Sequence, residues 1–201
     1  NPGVRDPLYF WRDNIGTEVD LILERGPDIA AVEIKSGITV ASDALGNLGN
    51  VCALLERYEQ AEACYREVLD MQRSLQEGNV IGETLVNLGN IQADTGQPEK
   101  GRAFYLEAID YLTPLDNDRA LGVLYSNLAL QDLHLHRPES AIEAFHTALD
   151  YHRKVGNEDG LATTYGQLGK AFLQLGNLQK AEACLNNATE HFTKLGHGAG
   201  E

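Results

Sequence analysis

Apolar and polar side chains alternate along Thr17 to Glu24 and again along Asp28 to Lys35, with Gly26-Pro27 between the two stretches. A period of two marks half-buried strands. With the aromatic run Leu8-Tyr9-Phe10-Trp11, the two stretches predict a three-stranded antiparallel meander within residues 1–40. Beyond Ala41 the pattern becomes long Leu/Ala/Glu-rich stretches with helical period, so residues 41–201 are predicted to be α-helical. The fold class expected is mainly α.

The helical segment repeats itself. Asn47-Leu48-Gly49-Asn50 recurs as Asn87-Leu88-Gly89-Asn90, then as Asn127-Leu128-Ala129-Leu130 and Gln167-Leu168-Gly169-Lys170. The interval is 40 residues each time, without an insertion. Three further columns keep that interval: Ala61, Gly101, Ala141, Ala181; then Tyr65, Tyr105, Phe145, Leu185; then Val68, Ala108, Ala148, Ala188. Gly96, Pro138 and Gly176 fall where a hairpin must turn, and Gly78-Asn79, Pro114 and Gly156-Asn157 fall between units. The unit is therefore a helical hairpin used four times, over about 42–79, 80–118, 119–157 and 158–196. The small residues at 49, 89, 129 and 169 let paired helices approach, and the aromatic column is expected to fill the gap between neighbouring hairpins. Such a unit cannot bury its apolar face alone, so stacking into an α-solenoid is expected.

The order Leu-Gly, then Ala, then Tyr or Phe, then Ala resembles tetratricopeptide repeats over about residues 42–196. The 40-residue period resembles the extended-helix variety of kinesin light chains, polarity scaffolds and bacterial signalling regulators. Gly101 in the Ala column and Ala129 in place of Gly depart from the pattern, but both remain small. The resemblance implies that first helices line a concave groove that binds a peptide or protein segment. Asn47, Asn87, Asn127 and Gln167 would then form a ladder of amides, with Asn50 and Asn90 beside it. Amides both donate and accept, which suits a peptide backbone. The Lys/Arg clamp of Hsp90-binding members is absent, because the matching positions are Asp43, Gly46, Glu83 and Val86.

Charge sharpens the partner. Sixteen Lys and Arg stand against 30 Asp and Glu, a formal net charge of −14. Residues 1–40 hold four basic and seven acidic groups, so most of the acidity belongs to the repeats. An acidic groove selects a basic or amphipathic partner, and the same acidity argues against nucleic acid. No run reaches the ~20 apolar residues of a membrane helix. Three scattered cysteines give no disulfide framework, which points to a cytoplasmic protein. The opening on Asn1 and the Gly-rich end read as a piece of a longer protein. The last predicted helix carries Ala181, Leu185, Ala188 and Phe192 with little sequence left to cover them. A homo-oligomer through that helix, or through the meander's edges, is expected.

Residues 1–42 carry a second resemblance. Leu8-Tyr9-Phe10-Trp11-Arg12-Asp13, Gly16-Thr17-Glu18-Val19-Asp20 and Val32-Glu33-Ile34-Lys35-Ser36-Gly37 look like the C-terminal domain of prokaryotic AAA-type ATPases. That domain is similar to PD-(D/E)xK nucleases. With a loop at 25–28, Glu24 faces Ile29, Asp20 faces Glu33 and Glu18 faces Lys35, and a slip of one residue would separate them. Opposed carboxylates call for a cation between them. The resemblance implies Asp20 and Glu33 as Mg²⁺ ligands and Lys35 as a catalytic lysine. The segment lacks the fold's upstream acidic helix and further strands, and no GxxxxGK[ST] loop occurs. The leading expectation is thus a non-catalytic binding scaffold without a cofactor; a Mg²⁺-dependent nuclease completed by another chain is the alternative.

Overall fold

The computed structural model describes residues 8–12, 18–25, 28–32, 38–75 and 78–198, with side chains described from 42 onward except at 76–79 and 197–198. Strands β1 (Leu8–Arg12), β2 (Glu18–Arg25) and β3 (Asp28–Val32) form an antiparallel sheet in the order β1-β2-β3. The β2–β3 register pairs Glu24 with Ile29, Arg25 with Asp28 and Leu21 with Val32. The β1–β2 register shifts between Tyr9 and Trp11. A shift of this kind bends the strand and raises its local twist.

Eight helices follow among the described residues: α1 (Ile38–Leu54), α2 (Tyr58–Leu75), α3 (Gly78–Asp94), α4 (Pro98–Leu112), α5 (Asp118–His134), α6 (Pro138–Lys154), α7 (Glu158–Gln174) and α8 (Leu178–Gly198). The chain divides into two compact units, 1–91 and 92–201, with the division inside α3. In the first unit α1 packs against α2 and against β2 and β3. In the second unit each helix from α4 to α8 packs on the next, and α5 also meets α7. Odd-numbered helices are the first of each hairpin and even-numbered ones the second.

The hairpin turns share one backbone solution. Glu56, Gly96, His136 and Gly176, spaced 40 apart, all take a left-handed conformation with φ between 56° and 71°. One residue later an N–H reaches back five residues: Arg57 to the Cys52 carbonyl, Gln97 to Gln92, Arg137 to Asp132 and Asn177 to Phe172, at 2.8–2.9 Å. This bond satisfies a carbonyl that the helix end leaves open. Sequence reading finds Gly96 and Gly176 but misses Glu56 and His136, which hold the same conformation without glycine. Pro98 and Pro138 then open α4 and α6, where a missing N–H costs nothing. Asn117 and Asn157 cap α5 and α7, each accepting from the backbone N–H three residues on.

The repeat columns are the core. Ala61, Ala141 and Ala181 are buried, as are Tyr65, Tyr105 and Phe145 and then Val68, Ala108, Ala148 and Ala188. The aromatic column sits differently from expectation. Tyr65 lies on Gly49 of its own hairpin: a Cβ on Gly49 would stand 2.7 Å from its Cε1. Leu185 likewise covers Gly169 of its own hairpin. A glycine opens a slot on the facing helix, and the nearest large side chain to fill it is the partner helix's own.

Another column, one that the sequence pattern does not single out, is Gln72, Leu112, His152 and Phe192, and its Gln72 and His152 meet the following hairpin. In the first unit the Thr84 hydroxyl donates to Gln72 Oε1 at 2.9 Å, with both residues buried. In the second, His152 lies between Gly122 of α5 and Gly160 of α7, and a Cβ on either glycine would fall within 2.7 Å of its ring. Phe192 is 52% exposed and Leu185 is 41% exposed, whereas Ala181 and Ala188 are buried. Of the last helix's expected apolar stripe, Ala181 and Ala188 are therefore buried, Leu185 covers Gly169 yet stays partly exposed, and Phe192 is exposed together with Leu178 and Leu195.

Candidate interaction surfaces

First helices carry an exposed column at Asp43, Glu83, Val123 and Thr163, again 40 apart. Beside it run the amides named above. Asn47, Asn87, Asn127 and Gln167 are all half-buried, as are Asn50 and Asn90. A half-buried amide can bond within the fold and still keep an edge accessible. Asn50 shows the first role, because its Oδ1 accepts a 2.7 Å bond from the Tyr65 hydroxyl, which leaves its Nδ2 for other partners. Burial pushes the Tyr65 phenol's pKa up, so it stays a neutral donor. Gln167 Oε1 is buried without a hydrogen-bond partner among the described residues. Such a group costs stability until something donates to it.

In the second unit α5 and α7 are tied by a 2.9 Å bond between Ser126 Oγ and Thr164 Oγ1. Stacked rings join first and second helices at a fixed interval: Tyr125 with Tyr151, and Tyr165 with His191, each with centroids 5.7 Å apart. Arg153 donates to the Tyr165 hydroxyl at 2.8 Å. Sequence reading misses these aromatics, although the interval of 40 residues between Tyr125 and Tyr165 is a readable signal.

A partly buried ion pair ties three helices of this unit together. Arg102 of α4 donates to Asp132 Oδ1 of α5 at 2.6 Å, and Ser140 of α6 donates to Asp132 Oδ2 at 2.8 Å. The Asp132 side chain is 1% exposed. One repeat later the same three positions are Ile142, Phe172 and Lys180. There the ion pair is replaced by an open cleft of about 410 Å³.

The three cysteines are free. Burial raises all their thiol pKa values, Cys64 to about 11, so they behave as packing groups. Among the described residues no group of three or more His, Cys, Asp or Glu side chains could hold a metal ion. Among them, too, no helix is long and apolar enough to cross a membrane. Asp20 lies on β2, while Glu33 and Lys35 fall outside the described residues; the pairing seen ends at Leu21 with Val32.

Known proteins resemble this chain in fold. BtubC (BKLC) from P. vanneervenii superposes with a TM-score of 0.74 at 20% identity, over 82% of this chain and 68% of that one. A MamA RS-1 ArsTM double mutant superposes with a TM-score of 0.61 at 18% identity, over 77% of this chain and 76% of that one. No curated protein matches the sequence. The tetratricopeptide repeat pattern matches residues 40–113 and 120–194, most of the chain. The chain belongs to the tetratricopeptide repeat family.

Proposed function

We propose that the protein is an interaction module. It binds a peptide or protein segment on its first-helix faces and performs no chemistry of its own. The observation that carries this reading is the family match over most of the chain, joined to half-buried amides that recur every 40 residues on first helices. Asn47, Asn50, Asn87 and Asn90 serve the first unit, and Asn127 and Gln167 the second. Their donors and acceptors meet a peptide backbone, and the unpartnered Gln167 Oε1 supports this by needing a donor. Exposed Asp43 and Glu83 beside the amides favour a basic or amphipathic segment. The test is peptide binding by Asn87→Ala and Asn127→Ala variants, which should be weaker than in the parent.

A second chain on α8 is supported by Leu178, Leu185 and Phe192, which are exposed and spaced seven apart. Sedimentation of the parent against Phe192→Glu tests it: a parent that stays monomeric at high concentration removes that contact. No observation favours the nuclease alternative with Asp20, Glu33, Lys35 and Mg²⁺. Mg²⁺-dependent plasmid cleavage that is lost in Glu33→Ala would reinstate it.

A further inference from the structure

The cleft on the second-helix side of the second unit has the makings of a separate binding site. Its floor is apolar: Ile142 of α6 and Phe172 of α7, with Leu175 at the end of α7. One wall carries Glu139 and Glu143, exposed and one helical turn apart on α6. Neither has an ion pair among the described residues, and like charges at this spacing repel. The opposite wall carries Lys180, whose ammonium stands 5.2 Å from the centre of the Phe172 ring.

The preceding junction shows what this place holds when it is closed. There Arg102, Asp132 and Ser140 occupy the positions of Ile142, Phe172 and Lys180, so a cation from the second helix and a buried carboxylate fill the space. At the later junction that ion pair is gone, Lys180 lies over the Phe172 ring instead, the space stays open, and Glu139 and Glu143 at its rim make no ion pair among the described residues. The volume of about 410 Å³ accommodates one or two large side chains. An apolar side chain would cover the exposed edge of the floor, and a neighbouring cation would relieve the Glu139–Glu143 repulsion.

The geometry points to a docking site for a partner peptide in which one large apolar residue is flanked by Lys or Arg. The apolar residue enters between Ile142, Phe172 and Leu175, and a flanking cation meets Glu139 and Glu143. This site is independent of the amides on the first helices. It gives the protein a second contact, on a different face of the second unit, for the same or another partner.

The experiment is an NMR titration of the isotope-labelled 201-residue chain with three probes: acetyl-Arg-Phe-Arg-amide, acetyl-Arg-Gly-Arg-amide and acetyl-Glu-Phe-Glu-amide. The expected result is a set of shifts on Ile142, Phe172 and Leu175 with the first probe only. The exposed double variant Glu139→Gln/Glu143→Gln should weaken that binding by about fivefold, the range of two exposed ion pairs. Leu175→Ser, at an exposed position, should weaken it without unfolding the chain. Equal binding of the Gly or Glu probe would overturn the inference, as would shifts centred on Asn127 and Gln167 or on no region at all. An unchanged affinity in Glu139→Gln/Glu143→Gln would overturn it too.

Discussion

Tyr65 occupies the space that a side chain on Gly49 would need, with its Cε1 only 2.7 Å from where that Cβ would stand. The ring is buried and its hydroxyl is held by Asn50, so it cannot simply swing away. Gly49→Ala should therefore destabilise the protein by about 1–2 kcal/mol, the overpacking cost outweighing the gain in helix propensity. Ala129 shows that a methyl is tolerated where the ring of that column is Phe145, which has no hydroxyl to tether it. Adding Tyr65→Phe to Gly49→Ala should then recover part of the loss. Gly169→Ala should be nearly neutral, because the side chain it crowds, Leu185 at 3.1 Å, is 41% exposed and can shift, and the Ala181 carbonyl oxygen stands at ordinary contact distance, 3.4 Å. Denaturant midpoints of the three variants check this ordering.

Glu56 and His136 adopt the left-handed turn that Gly96 and Gly176 adopt, with φ of 57° and 56°. A residue with a Cβ pays about 1 kcal/mol for that conformation. Glu56→Gly and His136→Gly should each raise stability by about 0.5–1 kcal/mol, less the extra entropy glycine loses on folding. Thermal melts that show a fall in both variants would contradict the turn geometry.

His152 is buried between Gly122 and Gly160, with Nδ1 3.2 Å from the Asn157 amide nitrogen. Its pKa is lowered, first by burial and then by Arg119, with Asp159 opposing. A depressed histidine favours the neutral folded form, so its contribution is complete above the ordinary pKa of about 6.5 and is lost as pH falls below it. The melting temperature should drop between pH 7 and pH 5 more steeply in the parent than in His152→Leu, a change that copies Leu112 of the same column. Parallel pH profiles would count against this assignment.

Asp132 is buried and held by Arg102 and Ser140. Arg102→Met leaves a buried carboxylate with one neutral donor and should cost about 3 kcal/mol. Arg102→Met/Asp132→Leu, which copies the apolar character of Ile142 and Phe172, should return most of that stability. Chemical denaturation of both variants measures the difference.

The helical hairpins are legible in the sequence because small, aromatic and Ala columns at a fixed interval are a packing code: Gly49 meets Tyr65, and Gly169 meets both Ala181 and Leu185, each within one hairpin. The turns are half legible. A left-handed residue announces itself only when it is glycine, so Glu56 and His136 are silent. The placement of Tyr65 is not legible, since a column tells which residues are equivalent and not which neighbour each one covers. Nor is the cleft beside Phe172. It arises from what Ile142, Phe172 and Lys180 fail to do compared with Arg102, Asp132 and Ser140, a comparison that needs the three-dimensional contact first. The amides are visible in sequence, but the Tyr65–Asn50 bond divides their roles in a way no spacing could show.

The central claim is that the first-helix amides grip a peptide. Its most direct test is isothermal titration with a twelve-residue peptide selected on this chain from a displayed random library. The parent is compared with Asn87→Ala, Asn127→Ala and the two combined, all first shown by circular dichroism to be folded. The account predicts at least a roughly tenfold loss of affinity in the combined variant, as for residues that carry most of a binding energy. A peptide bound equally well by parent and combined variant would contradict it.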